Sequence, residues 1–148
     1  ISLDTVLKDA LLHMEESGVF PDLIVNLEET FPFRENGLID KMIDQALEEG
    51  FDTVIAAKRE SGSLWQEDTE VGFTRLDSGD APRLYKEKSY VGLKGLCCVT
   101  HPEFVRQERL IGNKVGLFEV NLPLSSFEVR DEESRKIAGQ LLMRNDIG

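Results

Sequence analysis

The chain has 148 residues, of which 41% are hydrophobic and 30% are charged, and its formal net charge is −11. This length supports one domain with a hydrophobic core. The acidic balance excludes a general nucleic-acid binder, because binding a phosphate backbone requires clustered Lys and Arg side chains. No apolar run approaches the ~18 residues that a membrane span needs, so we also expect no membrane partner.

The first half of the chain has the pattern of alternating helices and strands. Apolar spacing and β-branched runs predict four elements in turn: a helix over 3–14, a strand over 22–27, a helix over 37–49 and a strand over 53–57. Gly18 and Gly50 follow the two helices as stop signals. A strand, a helix and a strand in succession form a βαβ unit, so we expect the two strands to be parallel neighbours.

Residues 60–92 have a different composition from the rest of the chain. They are polar and contain glycine, and the alternation over 70–76 predicts an antiparallel hairpin that projects from the sheet. Trp65 and Phe73 are large apolar residues with little core to enter in such a region. Exposed apolar side chains of this kind favour pairing with a second copy of the chain, so we expect a homodimer.

The remaining residues complete a single α/β domain. Their patterns predict a core strand over 95–100, a short helix opened by His101 and Pro102, a strand over 114–120, an extended segment over 126–129 and a final helix capped by Asp131. The apolar residues expected to face inward from that last helix are Ile137, Ala138, Leu141 and Leu142. We therefore predict a three-layer α/β fold with a mainly parallel sheet and a projecting antiparallel hairpin.

The cysteines indicate the compartment. Cys97 and Cys98 are the only two in the chain and they are adjacent. Neighbouring side chains on a strand point to opposite faces, so these two cannot form an unstrained disulfide. We interpret them as small buried side chains in a reducing compartment, for which the cytoplasm is the expected location.

The most specific segment is Val25-Asn-Leu-Glu-Glu-Thr-Phe-Pro-Phe-Arg34, which follows a predicted strand. Open α/β sheets bind ligands at the carboxyl ends of their strands. Thr30 supplies a hydroxyl, Pro32 stiffens the loop, and the guanidinium of Arg34 suits a carboxylate or phosphate. The alternative is an ordinary strand-to-helix loop with a solvated Arg34. In either case, replacing Arg34 should leave fold stability nearly unchanged.

This loop resembles the Leu-Gln-Pro-Thr-Ser-Pro-Leu-Arg loop of the acylneuraminate cytidylyltransferases. The matching residues are Leu27, Thr30, Pro32 and Arg34, and the differing residues are Glu28, Glu29, Phe31 and Phe33. The family's order continues through four further segments, at 52–57, 85–100 with Gly95 in the glycine position, 111–115 and 126–130. The resemblance therefore covers nearly the whole chain in the family's order.

The resemblance implies the fold of the nucleotide-diphospho-sugar transferases and a specific reaction. The anomeric hydroxyl of an acidic, sialic-acid-like sugar attacks the α-phosphate of CTP, giving a CMP-sugar and pyrophosphate with the help of Mg²⁺. It also implies that residues 60–92 form a dimer and substrate hairpin. The substrate-binding residues that it implies are Glu28, Thr30, Pro32, Arg34, Arg83 and Lys86.

The same resemblance places the metal ligands near residue 128. Glu128 and Arg130 occupy the positions of the family's two metal-binding Asp residues. Glu128 can bind Mg²⁺ through oxygen, whereas Arg130 cannot. Three alternatives stay open: Asp131 supplies the second carboxylate, Arg130 meets a phosphate as a fixed cation, or both Glu128 and Arg130 are solvent-facing residues of an edge strand.

The family's Gly/Ser/Lys-rich nucleotide loop has no counterpart in this chain. Without it, the backbone donors that hold a triphosphate are missing. We therefore interpret residues 1–148 as the C-terminal part of a cytidylyltransferase domain and expect this part alone to be inactive. Two alternatives are a non-catalytic binding or dimerisation module with the same fold, and a nucleotidyltransferase for another base or sugar.

Overall fold

The computed structural model describes residues 2–77 and 88–144. In chain order its elements are α1 (Leu3–Glu16), β1 (Ile24–Asn26), α2 (Leu38–Glu49), β2 (Thr53–Glu60), β3 (Trp65–Asp68), β4 (Gly72–Arg75), β5 (Ser89–Gly92), β6 (Cys98–Thr100), α3 (Pro102–Arg106), β7 (Val115–Glu119) and α4 (Glu132–Met143). None of the helices within these ranges is long and apolar enough to cross a membrane.

The helix ends follow the local signals in the sequence. The hydroxyl of Ser2 accepts a hydrogen bond from the Thr5 backbone N–H and caps α1. Gly50 ends α2 with φ of 61°, a left-handed conformation that glycine adopts without a Cβ clash. Asp131 and Ser134 form a reciprocal capping box at the start of α4. The predicted end of α2 at Gly50 and the predicted cap of α4 at Asp131 are confirmed, and α1 ends two residues later than predicted.

The central sheet has five strands in the order β1-β6-β2-β5, and β7 pairs with the other side of β2. β1, β2 and β7 run in one direction, while β5 and β6 run antiparallel to β2. The strands are therefore mainly parallel in direction, as predicted. The prediction that β1 and β2 are neighbours was wrong, because the fully buried strand β6 lies between them and pairs with both.

Helices cover both faces of this sheet, as expected for three layers. On one face, Val54 and Val99 pack with Leu38 and Met42 of α2. On the other face, a second cluster contains Ile55, Cys98 and Leu110, and Leu7 of α1 packs against it. Burial of these faces is the main stabilising contribution of the fold.

The two cysteines lie on opposite faces, as predicted. Cys97 belongs to the cluster under α2 and Cys98 to the cluster under α1, and both are free thiols. Burial raises the pKa of Cys97 to about 11 and that of Cys98 to about 12. At neutral pH both are therefore protonated and behave as small apolar side chains.

β5 and β6 form one interrupted strand beside β2. Gly92 of β5 lies opposite Ala57, and Cys98 of β6 lies opposite Ile55. Residues 93–97 therefore face the single residue Ala56, and they form a turn that we call the glycine loop after Gly95. This loop interrupts the regular pairing beside β2, as a large bulge would.

β3 and β4 form a separate antiparallel hairpin, with Trp65 opposite Arg75. This confirms the predicted hairpin, but the predicted range of 60–92 is too wide. Residues 89–92 belong to β5, which pairs with β2 in the central sheet. Trp65 and Phe73 are both exposed, at 57% and 66%.

One prediction for the C-terminal residues was wrong. Ile137 and Leu142 of α4 are 45% and 56% exposed, because Ala138 is the buried residue of this helix. In the predicted extended segment over 126–129, Phe127 has an extended backbone and no sheet pairing is formed. This segment follows a 3-10 turn at Pro123–Ser126 and is joined to the loop after β1 by a hydrogen bond from the Val129 N–H to the Thr30 carbonyl, 2.8 Å.

Candidate functional site

Two loops meet at the carboxyl end of β1. We call residues 27–34, which follow β1, the strand-end loop, and it lies against the glycine loop. The Asn26 side chain donates to the Lys94 carbonyl at 3.4 Å, and the Glu28 N–H donates to the Gly95 carbonyl at 2.7 Å. Because ligands of α/β proteins bind at this end of the strands, these loops form the candidate site.

Arg34 ties the two loops together. Its Nε donates to the Leu96 carbonyl at 2.7 Å, and its Nη2 donates to the carbonyls of Gly95, at 3.2 Å, and Glu28. Arg34 is therefore not a solvated loop residue, and the expectation that its replacement leaves stability unchanged is revised. Within the described residues Nη1 has no hydrogen-bond acceptor, so a ligand contact through Nη1 stays a prediction.

Glu28 and Gly95 are matched in shape. A Cβ atom on Gly95 would lie 2.6 Å from Cδ of Glu28, which is far inside a van der Waals contact. The carboxylate of Glu28 therefore lies directly over Gly95, at a position that any larger residue would fill. This contact places an acceptor of hydrogen bonds at the junction of the two loops.

Thr30 contributes a polar group to the same loop. Its hydroxyl oxygen is buried and has no hydrogen-bond partner in the part of the chain that the structure describes. A buried hydroxyl without a partner is costly, and a ligand group that hydrogen-bonds to it would remove that cost. The predicted role of Thr30 in substrate binding therefore stays open.

Two buried aromatic residues anchor the strand-end loop to the protein interior. Phe31 and Phe33 are 4% and 5% exposed, and the rings of Phe33 and Phe127 are 5.9 Å apart. Pro32 between them is exposed. Sequence reasoning treated Phe31 and Phe33 only as differences from the family pattern. The apolar-Pro-apolar spacing around Pro32 was the signal of an anchored loop that it overlooked.

Glu128 is held by an ion pair. Its Oε2 lies 2.5 Å from Nη2 of Arg130, and the same pair raises the pKa of Arg130. Within the described ranges no three His, Cys, Asp or Glu side chains are grouped so that they could hold a metal ion. A single carboxylate already paired with a guanidinium does not fit a Mg²⁺ site, which needs several oxygen ligands. We therefore assign no chemical step to a metal held by these residues.

Glu35 extends the site toward the C-terminal half of the chain. Its Oε1 accepts from the Ser125 hydroxyl at 2.9 Å and from the Leu122 N–H at 3.4 Å. Glu35 thereby fixes the 3-10 turn beside the strand-end loop, a role that sequence reasoning missed. The predicted substrate residues Arg83 and Lys86 lie outside the described residues.

Comparison with known proteins gives one line of support. No family model matches the chain, and no curated protein matches it. Among solved structures it is similar to the 4-diphosphocytidyl-2C-methyl-D-erythritolsynthase from Anaerococcus prevotii DSM 20548, with a TM-score of 0.68. The match covers 97% of this chain and 68% of that chain at 15% identity.

The chain shares the fold of that synthase. The predicted fold class is thereby confirmed. An identity of 15% does not reach the level at which a shared fold implies a shared substrate. The match does not favour the sialic-acid branch over other branches.

Proposed function

We propose that this chain is part of a cytidylyltransferase that, within a longer protein, transfers a cytidylyl group from CTP to an acidic, sialic-acid-like sugar. The observation that carries the proposal is the meeting of the strand-end loop and the glycine loop at the carboxyl end of β1, on a fold shared with a diphosphocytidyl-forming synthase. Two of the segments that carry the family resemblance are joined at the position where this class of fold binds ligands.

In the proposed reaction, the anomeric hydroxyl oxygen of the sugar bonds to the α-phosphorus of CTP. The bond from that phosphorus to the bridging oxygen breaks, pyrophosphate leaves, and the hydroxyl proton is lost to solvent or a nearby base. Positioning dominates such reactions. Glu28 supplies a hydrogen-bond acceptor for sugar hydroxyls, and Arg34 both fixes the two loops and offers Nη1 to an anion. Thr30, Pro32, Arg83 and Lys86 remain proposed substrate contacts.

Mg²⁺ would neutralise charge on the nucleotide phosphates when bound, as the resemblance implies. Glu128, the ligand that the resemblance implies, is paired with Arg130 and does not fit such a site alone, so the proposal assigns the metal no ligand among the described residues. We also propose a cytoplasmic location, since the two cysteines are buried free thiols of the kind found in reducing compartments.

A pyrophosphate-release assay tests the proposal. The panel contains CTP, Mg²⁺ and nonulosonic acids, with neutral sugars as controls. The 148-residue chain alone should release no pyrophosphate above background, because it lacks a phosphate-cradling loop. A longer natural chain that carries a Gly-Ser-Lys loop should release pyrophosphate with CTP and an acidic sugar. Turnover by the short chain would contradict the need for the loop, and no turnover by the longer chain would contradict the function.

A phosphate-bearing acceptor is an alternative to the acidic sugar. The name of the solved relative describes a cytidine joined through a diphosphate to methylerythritol, so its acceptor group carries a phosphate. The panel therefore includes a polyol phosphate beside the carboxylated sugars. Turnover with the phosphate alone would retain cytidylyl transfer and replace the acidic sugar.

A second candidate function is a non-catalytic binding or dimerisation module. The ion pair between Glu128 and Arg130 favours it, because this pair occupies the positions of the family's metal carboxylates. A longer chain that binds CMP in calorimetric titrations and shows no turnover with any acceptor would support the module.

A further inference from the structure

The strand β7 forms an open edge of the central sheet, because it pairs with β2 and with no other strand in the part of the chain that the structure describes. The Lys114 carbonyl accepts from the Asp52 N–H, and the Val120 N–H donates to the Ala57 carbonyl, both at 2.8 Å. The N–H and carbonyl of a strand residue point to the same side, and that side alternates along the strand. The residues of β7 that direct their backbone groups away from β2 are therefore Val115, Leu117 and Glu119.

Helix α2 borders this open edge through Gln45. Its Nε2 lies 3.5 Å from the Leu117 carbonyl oxygen, in agreement with an outward direction of this carbonyl. The Gln45 Oε1 is buried and has no hydrogen-bond partner within the described residues. A strand beside β7 would donate an N–H to the Leu117 carbonyl, and a donor side chain on its α2 side would satisfy Gln45.

The edge lacks the features that usually prevent pairing with another chain. Exposed edge strands are commonly protected by a charged side chain, a proline or a bulge. Residues 115–118 are Val, Gly, Leu and Phe, and they pair with β2 in unbroken register. Lys114 precedes them, but its ammonium donates to the Glu49 carbonyl at 2.8 Å and lies 5.0 Å from the centre of the Phe51 ring. The lysine charge is therefore directed toward the end of α2, and the edge is left suited to strand addition.

The two faces beside this edge differ in chemistry. On the face that β7 shares with Ile55, the side chains of Val115 and Leu117 are exposed. On the face toward α2, Phe118 borders a cavity of about 420 Å³ whose lining includes Lys41, Asp44, Gln45, Glu48 and Glu49. The three carboxylates of this set outnumber the one ammonium, and none of them has an ion-pair partner within residues 2–77 and 88–144. One face is therefore apolar and the other is acidic.

We propose that the open edge of β7 binds an extended segment of a partner protein in which basic residues alternate with apolar residues. Side chains of an added strand alternate between the two faces. Those opposite Gly116 and Phe118 would face α2 and carry the basic groups, and those opposite Val115 and Leu117 would be apolar. A second copy of this chain fits less well, because two acidic α2 surfaces would meet. The site goes beyond the proposed function, since β7 lies at the opposite edge of the sheet from β1.

Fluorescence anisotropy with the 148-residue chain tests this site without requiring turnover. The probe is a labelled, terminally blocked peptide in which lysine alternates with valine, and the wild type should bind it. The same peptide with N-methylated backbone amides keeps its charge but cannot pair as a strand, so its binding should be roughly tenfold weaker or lost. A peptide with glutamate in place of lysine should not bind, because its charge matches that of the α2 face.

A matched pair of double variants tests the role of the acidic face. Asp44→Asn combined with Glu48→Gln should weaken binding of the lysine peptide about fivefold, the effect of two exposed charge pairs. Asp9→Asn combined with Glu16→Gln is the control, because it changes the net charge equally at two exposed positions of α1. The control should bind the peptide like the wild type, and thermal melts should show both double variants folded.

Amide hydrogen exchange locates the bound peptide. Exchange at Val115, Leu117 and Glu119 should slow when the lysine peptide is added, while exchange in β1, at the other edge of the sheet, should not change. Peptide binding that survives N-methylation, that both double variants weaken equally, or that protects β1 instead of β7 would overturn the proposal. So would protection of β7 that rises with protein concentration in the absence of peptide, because a second copy would then occupy the edge. A longer chain without pyrophosphate release would leave this site standing.

Discussion

Replacement of Arg34 by alanine should destabilise the fold. The change removes donors from three backbone carbonyls, of which two keep another partner: Glu28 accepts from the Phe31 N–H at 3.4 Å, and Gly95 accepts from the Glu28 N–H at 2.7 Å. The carbonyl of Leu96, a fully buried residue, has no other donor within the described residues. One orphaned carbonyl costs about 1–3 kcal/mol, and with the weaker contacts the total is about 2–4 kcal/mol.

Urea unfolding followed by circular dichroism measures this cost. The free energy of unfolding of Arg34→Lys should lie between those of Arg34→Ala and the wild type, because one ammonium cannot donate to both loops in the way that a planar guanidinium does. Arg130→Ala is the control, since that side chain is 76% exposed and its pair with Glu128 should contribute at most about 1 kcal/mol. If the free energy of unfolding of Arg34→Ala lies within about 0.5 kcal/mol of the wild-type value, Arg34 does not hold the two loops together and is a solvated loop residue.

Two further predictions concern assembly and pH. Trp65→Asp should shift a dimer toward monomer in light scattering, because the exposed hairpin face offers Trp65 to a second copy. Phe20→Asp is the control, since Phe20 is 71% exposed outside the hairpin, and it should leave the dimer unchanged. A wild-type chain that is monomeric at high concentration would contradict the predicted dimer. Asp52 accepts from the Lys114 and Asn113 N–H groups, which lower its pKa from 3.8. Its stabilisation is therefore complete above that value and lost as pH falls through the folded pKa, so Asp52→Asn should flatten the acid limb of stability against pH. Parallel pH curves for wild type and variant would contradict this.

The features predicted from sequence are those fixed by nearby residues. Gly50 ends α2 and Asp131 caps α4 because these signals act within a few residues of the helix end. The opposite directions of Cys97 and Cys98 were predicted from strand alternation, and they hold although only Cys98 lies within β6. Strand order was not predictable in this way, since the insertion of β6 between β1 and β2 depends on pairing between distant segments.

The sequence predicted where the candidate site lies, but only part of what its residues do. The order of motifs brought the strand-end loop and Gly95 to attention, and the structure joins them. The role of Arg34 could not be predicted, because its acceptors include backbone carbonyls about sixty positions away that carry no side-chain signature. The inward face assigned to α4 failed for a related reason: apolar spacing marks a face, but it does not show whether another element covers it.

The closure of the glycine loop has a consequence for how the site can change. The Leu93 N–H donates to the Ala56 carbonyl at 2.7 Å, and the Ala56 N–H donates to the Cys97 carbonyl at 2.9 Å. One residue of β2 therefore holds both ends of the loop and fixes where the pairing with β5 stops and the pairing with β6 starts. Between these ends, Gly95 and Leu96 supply acceptors for Arg34, and Leu96 is fully buried in the core. A change of length within 94–96 would therefore alter the shape presented to a ligand and the stability of the fold together.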